Sequence, residues 1–178
     1  MLSRGSRKEA VLKIFLASPL GFAESSRAFI SQIVRILQES GCTVFDPWFL
    51  AGPLAGELEK TDRIEDPDVR IQMLHSLSMQ IARQNHEYLM KADGVLAVLD
   101  GCDVDSGTAS EIGCAFAAGG KVINGYRGDF RRTGENDGCL VNLQVQYWIE
   151  ASGGSIYTRL EDLRDCRWDG LKVSGEER

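Results

Sequence analysis

The sequence of 178 residues predicts an open α/β sheet whose strands are joined by helices. Three observations carry this expectation. Short apolar runs without alternation recur, as in strands covered on both faces; stretches with apolar residues three and four apart lie between them; and strand, loop, helix and strand succeed one another in βαβ rhythm. Ligands of such sheets sit beyond the carboxyl ends of the strands, so the loops 17–22, 46–48, 101–107 and 125–130 are expected to share one rim.

The first strand spans Lys13 to Ser18 and is stopped by Pro19 and Gly21. From Glu24 to Ser40, residues Phe29, Ile30, Ile33, Val34, Ile36 and Leu37 fall at helical intervals, and Gly41 follows as a stop. Cys42 to Phe45 is the second strand, ended by Asp46-Pro47. Residues 49–68, rich in proline and glycine with the acidic string Glu65-Asp66-Pro67-Asp68, are expected to be a long loop, either a lid over the site or a solvated insertion. Val69, Met73, Leu77, Ile81 and Leu89 mark a long helix closed by Ala92-Asp93, with Asn85 and His86 in its last third. The most apolar run, from Asp93 to Asp100, is the central strand, and the polar loop 101–106 leads to a helix from about Thr108 to Ala118 and a strand from Lys121 to Asn124. One domain over 11–168 is expected, with 1–10 and 171–178 as flexible termini.

Composition narrows the function. Twenty Lys and Arg against 26 Asp and Glu give a formal charge of −6, which disfavours a nucleic-acid polymer as ligand. No apolar window approaches the roughly 18 to 20 residues that cross a bilayer, and the start lacks a signal-peptide core of about 7 to 15 apolar residues. A soluble cytoplasmic protein with no membrane partner is the expectation. The five cysteines, scattered and never in a C-x-x-C pair, read as reduced thiols, and the two histidines lack partners at ligand spacing.

The densest group of chemically able residues runs from Asp100 through Asp103 and Asp105 to Glu111 and Gly113, beginning where the central strand ends. Glu111 is expected in the first turn of the next helix, where orphaned N–H groups favour a carboxylate able to act as a nucleophile. A capping box from Thr108 to Glu111 fits the same spacing, so both readings stand at this point. Asp100, Asp103 and Asp105 also have the oxygen-ligand chemistry of a magnesium site, although no glutamate completes a calcium loop. Phe15, Phe22, Trp48 and Phe49 fall near strand ends, where aromatic rings can stack on a flat base.

Taken together, Ile14 to Leu20, the Asp46-Pro-Trp48 turn, the run from Asn85 through Asp93 to Asp100, the segment Asp105-Ser-Gly-Thr-Ala-Ser-Glu111-Ile-Gly113 and the late Val141-Asn142-Leu143 resemble the nucleoside 2-deoxyribosyltransferase family over about residues 13–150. The resemblance implies a flavodoxin-like, or Rossmann-like, open parallel sheet of five strands with helices on both faces. It implies exchange of the base of a 2′-deoxynucleoside, with small-molecule nucleosides and free nucleobases as partners and neither cofactor nor metal. Glu111 takes the place of the nucleophile, overriding the capping reading. Asn85 stands where the family often has an aspartate, and since an amide cannot be a general acid, Asp46 or water is left to protonate the leaving base.

By the same resemblance Phe15, Ala17, Ser18, Pro19 and Trp48 belong to the substrate site, Phe15 replacing a common tyrosine. So do Asp105, Ser106, Gly107, Asn142 and Gln144. Asp105 and Asn142 would hold the 5′-hydroxyl, Asn142 from a neighbouring subunit, which implies a dimer-based homo-oligomer that also covers Tyr147-Trp148-Ile149. Related monophosphate hydrolases carry serine at the Asp105 position. A carboxylate there repels a phosphate and favours free nucleosides, while Ser106 keeps the nucleotide alternative open. The competing readings are an N-glycoside hydrolase and a non-catalytic nucleoside-binding module.

Overall fold

The computed structural model describes residues 11–168; the expectation of flexible ends at 1–10 and 171–178 lies outside the described residues. Strands β1 (Lys13–Ala17), β2 (Thr43–Phe45), β3 (Gly94–Val98), β4 (Val122–Tyr126) and β5 (Ile156–Tyr157) form one sheet, parallel throughout, in the order β2-β1-β3-β4-β5. This is the flavodoxin-like order, with its reversal between β1 and β3. The register sets Phe15 beside Phe45 on one side and Val95 on the other.

Helices α1 (Arg27–Glu39), α2 (Pro47–Leu50), α3 (Gly52–Thr61), α4 (Pro67–Lys91), α5 (Ser106–Ala118) and α6 (Leu143–Ala151) cover the sheet. Because successive strand residues point to opposite faces, each strand feeds two cores. Phe15, Ala17, Val95, Ala97, Leu99 and Ile123 pack under Leu89 of α4, Ile112 and Ala115 of α5, and Val145 and Ile149 of α6. Ile14, Leu16, Leu96, Val98 and Tyr126 pack on the other face against Ile30, Ile33 and Leu37 of α1 and against Leu163. Each such Leu or Ile, removed from water, contributes about 1.5–3 kcal/mol. All five cysteines are free. Among the described residues no helix is long and apolar enough to cross a membrane.

Four sequence expectations change. Residues 49–68 are helical over most of their length, not a loop. The prolines misdirect the reading: Pro47, Pro53 and Pro67 all sit in the first turn of a helix, where a missing N–H costs nothing, and Asp46 and Asp66 cap two of those helices. The run Leu54 to Lys60 is built of helix formers apart from Gly56, and α3 packs on α4, with Gln84 Nε2 donating to Leu50 O at 3.0 Å.

Second, β4 continues through Gly125 and Tyr126, residues assigned to a loop from sequence, because both pair with β3 and β5. Third, α5 begins at Ser106, so Glu111 stands in its second turn. Fourth, Trp148 packs within its own chain while staying half-buried: its ring lies over Gly113, where a Cβ would stand 3.1 Å away, and is tilted against Phe116 at 6.4 Å. Close packing of α6 on α5 therefore accounts for Gly113.

Candidate active site

The carboxyl ends of all the strands face one edge, and the loops there are tied to each other. Ser18 caps a 3-10 turn that starts at Pro19, its Oγ accepting from Leu20 N at 3.2 Å. Its carbonyl accepts from Trp48 Nε1 at 2.9 Å, and the Trp48 ring meets Phe22 edge-on at 4.5 Å. Gly21 lies so close beneath that ring that a Cβ would stand 1.9 Å from it. Trp48, Phe22 and Phe49 are exposed, giving this side of the edge a flat apolar surface. Phe15 and Ala17, in contrast, have no exposed surface at all; the structure places these two expected substrate residues in the core under α5, because their strand parity points them inward.

The helix carrying Glu111 is capped by Asp105, whose Oδ2 accepts from Thr108 N at 3.0 Å and from Thr108 Oγ1 at 3.4 Å. The Thr108–Glu111 capping box is therefore overturned: the Thr108 amide is already taken, and Glu111 is three positions too late. Its carboxyl has no hydrogen-bond partner among the described residues and is half-buried. Burial, with the negative charge of Asp105 adding to it, raises the Glu111 carboxyl from 4.5 to about 7. The expectation of a carboxylate held ionised by the helix terminus is thus corrected, because the dipole fades beyond the first turn. Ser106 and Gly107, exposed at that first turn, keep N–H groups with no acceptor among the described residues.

Asp46 caps α2, Oδ1 accepting from Trp48 N at 3.0 Å, and burial raises its carboxyl despite that bond. Asn85, half-buried on α4, makes no side-chain hydrogen bond among the described residues. Helices α4 and α5 meet nearby, where His86 Nδ1 lies 3.9 Å from Cys114 Sγ. Asn85 and Glu111 are each within one turn of that contact.

Asn142 caps α6, its Oδ1 accepting from Gln144 N at 3.0 Å, while its Nδ2 donates to Glu135 Oε1 at 2.7 Å. Glu135 Oε2 also accepts from Leu143 N at 2.8 Å. Gln144 is exposed beside it. Glu135 was not legible from sequence because its partner lies seven residues away across an irregular loop. Arg127 was missed as well. It is buried, and its guanidinium donates to Leu99 O, to Gly101 O at 3.2 Å and to Arg131 O at 2.6 Å, binding the end of β3 to the loop after β4.

The three aspartates do not converge. Asp100 Oδ1 accepts from Asp129 N at 2.8 Å, Asp103 Oδ1 from its neighbour Val104 N at 2.8 Å, and Asp105 caps α5. Among the described residues no three His, Cys, Asp or Glu side chains form a metal site, which removes the magnesium reading.

The family model described as nucleoside 2-deoxyribosyltransferase matches residues 14–144. The chain belongs to that family. No curated protein matches the sequence. Among solved structures, a conserved protein from Enterococcus faecalis V583 aligns with a TM-score of 0.61 at 24% identity, covering 88% of this chain and 96% of that one. A 2-deoxyribosyltransferase from Bacillus psychrosaccharolyticus aligns at 0.64 and 21% identity, covering 89% and 95%. A CMP N-glycosidase from Clostridium botulinum aligns at 0.51 and 20% identity, covering 86% and 94%. At these identities the alignments establish the fold. Within a nucleoside 2-deoxyribosyltransferase-family chain, the edge holding Trp48, Asp105 and Glu111 is the candidate active site.

Proposed function

We propose that the chain transfers 2-deoxyribose between nucleobases through a glycosyl ester on Glu111. The observation that carries this reading is the Glu111 carboxyl itself: half-buried, free of hydrogen-bond partners among the described residues and pushed up to about 7, on the second turn of α5. A structural carboxylate would be paired or solvated; an unpaired, half-buried one is available to react.

In the proposed reaction a Glu111 carboxylate oxygen attacks C1′ as the C1′–N bond breaks through an oxocarbenium-like transition state. The bond pair leaves with the base, which takes a proton from Asp46 or from water. A ring nitrogen of a second base then attacks C1′, the ester oxygen leaves as the Glu111 carboxylate, and two inversions give retention. Asn85 hydrogen-bonds the base and Trp48 stacks on it. Ser18 and Pro19 wall the pocket, and Asp105 holds the 5′-hydroxyl through Oδ1, the oxygen its cap leaves free. Asn142 and Gln144 from a second copy complete the site, so the active form is a homo-oligomer.

A second reading is hydrolysis of a nucleoside 5′-monophosphate. It is favoured by the free N–H groups of Ser106 and Gly107 at a helix N-terminus, which suit a phosphate, and opposed by the Asp105 charge beside them. Chromatography of reactions with 2′-deoxyinosine plus cytosine, 2′-deoxyinosine alone and 2′-deoxycytidine 5′-monophosphate alone separates the two. Deoxycytidine formed only in the mixture supports transfer; base released from the monophosphate alone replaces it with hydrolysis.

A further inference from the structure

A groove of about 670 Å³ opens at the ends of β3 and β4, lined by Asp100, Tyr126, Gly128, Asp129, Phe130 and Arg131. It is not the Glu111 site. Leu99 belongs to the core under α5, so Asp100, the next residue, points to the opposite face of the sheet. Tyr126 belongs to that opposite core, its ring 5.8 Å from Phe29 of α1.

Most polar atoms of the groove are already engaged. Asp129 is held by the Arg131 guanidinium, which keeps its carboxyl well below the usual range, and its Oδ1 accepts from Arg131 N at 3.0 Å. Asp100 uses Oδ1 for the Asp129 amide. Two groups remain. Asp100 Oδ2 has no donor among the described residues, and the Tyr126 hydroxyl, on a side chain only 5% exposed, has no partner among them either. The Tyr126 hydroxyl opens to the groove, where it can donate to an acceptor atom of a ligand. Gly128 makes room for the hydroxyl itself, since a Cβ there would stand 2.3 Å from it. At the mouth, Phe130 is 95% exposed and offers a flat apolar face. Among the lining residues Asp129 and Arg131 cancel, which leaves the Asp100 carboxylate to face the groove and disfavour an anion beside it.

We propose that this groove is a second binding site, for a flat uncharged heterocycle with an N–H donor beside a ring nitrogen, the chemistry of adenine and cytosine. The heterocycle stacks on Phe130, donates its N–H to Asp100 Oδ2 and accepts the Tyr126 O–H at its ring nitrogen. Nothing in this assignment depends on sugar transfer by Glu111.

Titration calorimetry of the full chain with adenine, with 2′-deoxyadenosine and with inorganic phosphate tests it, using the parent protein, Phe130→Ala and Tyr126→Phe. The expected result is a saturable adenine component weakened about tenfold by each substitution, with no phosphate binding. Retention of 2′-deoxyadenosine in the same component identifies the nucleoside as the occupant; its exclusion identifies the free base. Adenine isotherms that coincide in all three proteins, or no adenine binding in the parent, overturn the proposal. Phe130 lies in solvent, so its variant reports even where Tyr126→Phe disturbs the core. Loss of transfer with adenine binding intact removes the Glu111 reading alone.

Discussion

Asp105 caps the helix that carries Glu111 and, by its charge, makes the Glu111 carboxylate harder to form. One residue thus orders the first turn of α5 and helps set the proton affinity of the second. The rate of base release from a 2′-deoxynucleoside is therefore expected to rise about tenfold per pH unit below about 7 and to level off above, as Glu111 ionises. Asp105→Asn keeps the cap, since asparagine is an equivalent N-cap, but removes the charge. Its pH–kcat/KM profile should be displaced to lower pH, and profiles that superimpose would show that the coupling is absent.

Glu111→Gln is expected to lower transfer by about 10⁴-fold while raising stability at alkaline pH. The sign follows from linkage. The folded carboxyl titrates near 7 and the unfolded one near 4.5, so between those values the folded state holds more protons. Stability contributed by the neutral form is full below the unfolded value and is lost as pH rises through the folded one, on the order of 3 kcal/mol in all. Thermal unfolding of the two proteins should coincide near pH 4 and differ by several degrees at pH 8, the variant being the more stable.

Gly21→Ala forces a methyl into the Trp48 ring. The ring must swing away from Phe22 and release its bond to Ser18 O, at a cost of about 1–3 kcal/mol. Urea titration followed by tryptophan fluorescence reads both the lost stability and the displaced indole, and the proposed base platform predicts a raised KM with it.

Replacement of Arg127 by methionine leaves the carbonyls of Leu99, Gly101 and Arg131 without their shared donor. A loss of about 2–4 kcal/mol is expected, measured by denaturation, with Arg127→Lys recovering only part of it because one ammonium cannot span three acceptors.

Asn142→Asp preserves a helix cap but sets a second carboxylate against Glu135, whose Oε1 is 2.7 Å from the amide nitrogen it replaces. The variant should be destabilised at pH 8, and the double variant with Glu135→Gln should regain the loss. A double-mutant cycle with no coupling energy would sink the idea that Glu135 holds Asn142.

Much of this protein was written locally. The run from Val95 to Leu99 reads as a buried strand because every residue is apolar, and Ile30, Ile33 and Leu37 mark α1 because one helical face must meet the sheet. Asp105 to Gly113, placed after that strand, marks the candidate site. What failed locally failed for identifiable reasons. Prolines at first-turn positions look like loop residues until the helix that follows is seen. Gly125 and Tyr126 become strand only by pairing with β3 and β5.

The amino-acid sequence by itself determined the alternating pattern and the strand-end position of the acidic segment, while the choice of Glu111 within that segment came from the family resemblance. Those features depend on residue type and spacing along the chain. Tertiary structure alone decided that Phe15 faces the core, that Arg127 grips three carbonyls and that Asn142 is held by Glu135. It also sent Asp100 and Glu111 to opposite faces of one sheet. Burial and hydrogen-bond partners across 28 residues, as between Arg127 and Leu99, exist only once the chain has folded back on itself.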